Sequence, residues 1–93
     1  MGLKLRKLDI SEYLDSEEVI AEFLTAALED PNPEALVSAV GHVAKACGMT
    51  SVAEKTGLGR ESLYKAFAPG AKPRYETVIK ILRSLGVRLQ VVV

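Results

Sequence analysis

The stretch from Met49 to Phe67, Met-Thr-Ser-Val-Ala-Glu-Lys-Thr-Gly-Leu-Gly-Arg-Glu-Ser-Leu-Tyr-Lys-Ala-Phe, leaves the chain few ways to fold. It has room for two short helices and almost none for the turn between them. Two helices crossing steeply through so short a turn demand a small side chain where they meet, and Ala53 supplies it. Four residues later, Gly57 offers the positive φ needed to leave the first helix sharply. Leu58 then plugs the corner, and Leu63, Ala66 and Phe67 give the second helix a buried face against Val52. Thr50 or Ser51 is positioned to cap the first helix, with Glu54 answering Ser51 in a capping box. The spacing predicts helices around 50–56 and 60–68, a helix-turn-helix unit over 49–68.

The flanking sequence supplies more helices. Residues 1–14 mix short apolar and charged steps and read as an extended arm. Asp15 is placed to cap a first helix, with Glu18 three residues on. Val19, Ile20, Phe23, Leu24, Ala27 and Leu28 recur on one of its faces, opposite Glu17, Glu18, Glu22 and Glu29. The run Asp30-Pro31-Asn32-Pro33 stops that helix. Asn32 is a cap for the next, with Pro33 at its first helical position. Its inward stripe is Leu36, Val37, Val40, Val43, Ala44 and Cys47, and Gly48 ends it. Residues 15–47 therefore read as two amphipathic helices.

Beyond the central unit, Pro69-Gly-Ala-Lys-Pro73 is a loop. A last helix over 74–85 turns Tyr75, Val78, Ile79, Leu82 and Leu85 inward, with Gly86 as its cap. Residues 87–93, rich in β-branched side chains, read as a strand that needs a partner in this chain or another. The expected fold is a single all-α domain, 1–93, of about five helices with a short C-terminal strand.

Composition narrows the function classes. The hydrophobic share is 48% and the charged share 26%, ordinary for a soluble globular chain. No apolar run approaches the length of a membrane span, and no apolar stretch follows the basic amino end as in a secretory signal. A cytosolic location is expected. One cysteine, Cys47, permits no internal disulfide and reads as a small core residue. The lone His42 falls with Ser38 and Lys45 on the polar face of its helix, as a solvated side chain. With no metal-ligand spacing and no phosphate-cradling glycine loop, neither an enzyme, nor a cofactor, nor a metal site is expected.

The zero net charge hides a division. Residues 1–48 hold four basic side chains against nine acidic, net −5, and residues 49–93 hold eight basic against three acidic, net +5. Such asymmetry suggests two surfaces with different partners, and the positive half suits phosphate. The outer face of the second central helix carries Arg60, Glu61, Tyr64 and Lys65. In a helix-turn-helix this face enters the major groove of double-stranded DNA. Arg60 and Lys65 suit guanine edges or phosphates, Glu61 a cytosine amine or the orientation of Arg60, and Ser62 base or backbone. Tyr64 suits a phosphate or a thymine methyl, while Thr50, Ser51, Lys72 and Arg74 are placed for backbone contacts at helix ends.

These residues also carry a family resemblance spanning Leu8 to Leu89. It includes Leu8-Asp-Ile-Ser-Glu-Tyr-Leu-Asp15, Ala27-Leu-Glu-Asp30, Gly48-Met49-Thr50, Thr56-Gly-Leu-Gly-Arg-Glu-Ser-Leu-Tyr-Lys-Ala66, Glu76-Thr-Val-Ile-Lys-Ile-Leu82 and Leu85-Gly-Val87. On these motifs the chain resembles the HigA-type antitoxins, addiction module antidote proteins of type II toxin–antitoxin systems. They fall in the lambda-repressor-like helix-turn-helix class. Gly59 stands where that family usually has serine as the cap of the recognition helix. The resemblance implies a protein that represses its own operon as a homodimer and neutralises a small basic toxin of the RelE/ParE kind. The acidic half fits a basic toxin, contact through the terminal strand is the competing arrangement, and pairing of that strand with its own copy across a two-fold axis is the alternative use of it. A free-standing transcriptional regulator without a toxin is the alternative, and the neighbouring reading frame discriminates the two.

Overall fold

Helix formation begins where a serine hydroxyl replaces a missing backbone partner. In the computed structural model, which describes residues 16–93, Ser16 accepts the Val19 amide at 3.2 Å and opens α1 (Glu17–Glu29). The cap is thus Ser16, one residue later than expected, and Asp15 lies outside the described residues together with the predicted arm. Ile20, Phe23, Leu24 and Ala27 form the inner stripe of α1. Val19 and Leu28, expected there too, are exposed, because the stripe that α2 covers is narrower than the apolar run.

Two side-chain turns connect α1 to α2 (Glu34–Cys47). Asp30 Oδ1 accepts the Asn32 amide at 2.8 Å, and Asn32 Oδ1 accepts the Glu34 amide at 2.9 Å. Pro33 already has helical angles, φ −62° and ψ −20°, so Asn32 does the capping expected of it. Ala39, Val40, Val43 and Ala44 are buried. Cys47, expected inside, is exposed. The chain turns through 103° between α2 and α3 (Met49–Thr56), and the buried Met49 fills the corner instead. His42 is half-buried, with its ring edge-on to Phe23 at 6.2 Å, and so is not the freely solvated side chain expected.

After α4 (Arg60–Ala66) and a loop, α5 (Tyr75–Ser84) drives Ile81 and Leu82 into the centre. There they meet α2 and α3, while α1 packs on α2 and α4 on α3. Ile81, fully buried, was not among the residues read as inward. Tyr75, which was, is 76% exposed: it shares the periodicity of the stripe, but the core covers α5 only from Val78 onward. Gly86 and Val87 close the helix by donating their amides to Arg83 O at 3.1 Å and Leu82 O at 3.0 Å. The five-helix, all-α expectation holds for the described residues. The C-terminal strand does not: residues 87–93 form none, because a strand needs a ladder and no described segment supplies one. No single helix among the described residues is long and apolar enough to cross a membrane.

Candidate nucleic-acid interface

Three residues, Gly57 to Gly59, separate α3 from α4. Gly57 takes φ +78° and ψ 5° and donates its amide to Ala53 O at 2.9 Å, ending α3 in a left-handed turn that L side chains resist. Thr56, the one buried polar residue among those described, fixes the path of the chain out of α3. Its hydroxyl donates to Val52 O at 2.8 Å and accepts the Leu58 amide at 3.2 Å, tying the last turn of α3 to the first step beyond it. Leu58 packs against the core as the corner residue. Gly59 returns to extended backbone, φ −71° and ψ 153°, and its carbonyl accepts the Leu63 amide at 3.0 Å, with no side-chain cap on α4.

Leu63, fully buried, anchors α4 to the core. Phe67, half-buried at its end, lies on α2 over Gly41: a Cβ there would sit 3.1–3.3 Å from Phe67 side-chain atoms. A larger residue at position 41 would therefore push α4 outward. This close approach escaped the sequence reading, although a glycine in mid-helix was its signal.

With one face so held, α4 presents Arg60, Glu61, Ser62, Tyr64 and Lys65 to solvent together. Arg60 lies along Tyr64 one turn on, its guanidinium carbon 5.8 Å from the ring centroid and Nη2 3.5 Å from the phenol oxygen. That contact draws the two side chains toward a shared orientation. The other expected contacts lie elsewhere. Thr50 is exposed and Ser51 half-buried in the first turn of α3, and neither caps it: the cap position is Gly48, and the Ser51–Glu54 capping box is absent. Lys72 and Arg74 are exposed in the segment leading into α5. Among the described residues, no hydrogen bond links these two sets to α4. Thr56, Gly41 and Met49, which the sequence reading did not assign to the site, position it without touching solvent-side chemistry.

The comparisons with known proteins bear on a chain of this architecture. A family model described as probable addiction module antidote protein matches residues 4–93. The chain belongs to that antidote family. A Haemophilus influenzae protein, described only as uncharacterized, is 38% identical over 91 residues, covering 98% of this chain and 94% of the relative. No solved structure matches the chain. The antidote family thus takes in nearly the whole chain, including every helix described here.

Proposed function

We propose that this antidote-family member is a cytoplasmic, sequence-specific DNA-binding antitoxin. In this reading α3 and α4 form a lambda-repressor-like helix-turn-helix of the HigA type, with α4 in the major groove of an operator. A dimer represses the protein's own operon, and the same protein neutralises a small basic toxin of the RelE/ParE kind. The observation that carries the DNA side is the presentation of Arg60, Ser62, Tyr64 and Lys65 from a short helix pinned by Leu63 and Thr56. Arg60 and Lys65 are suited to guanine O6/N7 or phosphate, and Glu61 to a cytosine amine. Thr50, Ser51, Lys72 and Arg74 are suited to the sugar-phosphate backbone on either side, where contacts position rather than specify.

Family membership supports the toxin side, and charge indicates its chemistry. From Ser16 to Ala44 the chain has Glu17, Glu18, Glu22, Glu29, Asp30 and Glu34 and no lysine or arginine, a field that attracts a cationic partner. Co-expression with the product of an adjacent reading frame tests this side. Rescue of growth and co-purification of the two proteins are expected. A neighbour that neither inhibits growth nor binds would remove the antitoxin role and leave a free-standing regulator.

A further inference from the structure

The segment after α5 carries more apolar surface than the fold covers. Leu89, Val91 and Val92 are 45%, 91% and 84% exposed. Val87, Leu89, Val91 and Val93 alternate with Arg88, Gln90 and Val92, so a strand here would gather four apolar side chains on one face. Val87 is anchored through its amide and its packing against the core. Among the described residues, nothing hydrogen-bonds to the backbone from Arg88 to Val93. Unpaired backbone beside exposed apolar side chains is the condition that templates strand pairing with another chain.

Two grooves flank this segment. One of about 460 Å³ separates it from α1 and is lined by Leu24, Thr25, Leu28 and Glu29 facing Arg88, Leu89 and Val92. The other, about 300 Å³, lies on the α5 side with Tyr75, Ile79, Arg83 and Arg88. Charge decides between them. The segment's one ionisable side chain, Arg88, borders both grooves, so the other charged neighbour decides: on the α5 side the Arg88 of an incoming copy would meet Arg83. On the α1 side it meets Glu29, on a helix with four glutamates and no base. Leu28, half-exposed on that helix, faces the same groove.

We propose that the groove between α1 and residues 87–93 receives the same segment of a second copy, the two pairing as antiparallel strands about a two-fold axis. This deepens the dimer in the function proposed above and rests on it. A two-fold perpendicular to the ribbon opposes odd-numbered residues to odd-numbered ones, so the apolar faces of both strands coincide. Each strand then covers the Leu28 of the other copy, pairs one of its edges, and brings Arg88 into the field of an acidic α1. The interface is self-complementary, as a closed dimer requires.

Sedimentation equilibrium on the full chain tests it, with circular dichroism to confirm the fold. Val91→Asp and Leu28→Asp alter exposed positions, and each should raise the dimer dissociation constant by about tenfold or more. Arg88→Glu and Glu29→Arg should each weaken the dimer alone and restore it when combined. In a Cys47→Ser background, one of Leu89→Cys, Gln90→Cys and Val91→Cys should cross-link two copies by a disulfide. A wild-type dimer that Val91→Asp and Leu28→Asp leave intact overturns this pairing while the dimer itself stands. A chain monomeric at every concentration overturns both. Protected amides at 88–93 in that monomer would then assign the groove to residues 1–15, and loss of toxin binding on Val91→Asp would assign it to the toxin.

Discussion

Two glycines two positions apart in the α3–α4 turn should respond to substitution with opposite signs. Gly57 holds φ +78°, and a Cβ built there meets nothing within 4 Å, so Gly57→Ala introduces conformational strain without a clash. The left-handed region costs an L residue about 1–2 kcal/mol. Loss of freedom in the unfolded chain returns about 0.4–1 kcal/mol. The net is a destabilisation of about 1 kcal/mol, a fall in Tm of about 4–8 °C for a domain of this size. Gly57→Asn should lose less, since asparagine tolerates this region.

Gly59 is the control. At φ −71° and ψ 153°, with nothing within 4 Å of a Cβ, any L residue fits, and α4 lacks a side-chain cap. Gly59→Ser therefore gains about 0.4–1 kcal/mol from the unfolded state. Capping of the Glu61 or Ser62 amide adds a few tenths of a kcal/mol. Thermal and urea melts followed by circular dichroism, at one protein concentration, read both changes. Wild-type stability in Gly57→Ala, or a loss in Gly59→Ser with the fold retained, would refute the turn geometry.

Thr56→Val keeps the volume but leaves the half-buried Leu58 amide without its acceptor, and urea melts should show a loss of about 1–3 kcal/mol, largely recovered by Thr56→Ser. Gly41→Leu drives a side chain into Phe67 and should cost about 1–3 kcal/mol by the same melts, whereas Gly41→Ala should change stability less, its gain in helix propensity offsetting the 3.1 Å contact.

The helices were legible because their apolar spacing is strong, and the turn because Ala53, Gly57, Leu58 and Leu63 each have one local task. What escaped depends on tertiary closure. Cys47 continues the α2 periodicity, yet the bend at Gly48 hands its place to Met49. Tyr75 continues the α5 stripe, yet the core ends short of it. Thr56 resembles any polar helix-end residue until its hydroxyl is seen bridging Val52 and Leu58. The tail was read as a strand from its β-branched content, but composition cannot provide the second strand. At the candidate site, exposure of the α4 residues followed from periodicity, while the Arg60–Tyr64 contact did not. Capping by Thr50 or Ser51 failed because Gly48 already occupies the cap position.

The central claim, that the exposed face of α4 reads an operator, is tested most directly by fluorescence anisotropy. The protein is titrated onto its own upstream DNA and onto a scrambled duplex at two salt concentrations, with Arg60→Ala/Lys65→Ala measured alongside. The account predicts tighter binding to the upstream duplex, affinity falling steeply with salt, and a loss of about tenfold or more in the double variant at unchanged Tm. Equal affinity for both duplexes, or a folded double variant that binds as tightly as wild type, would contradict it.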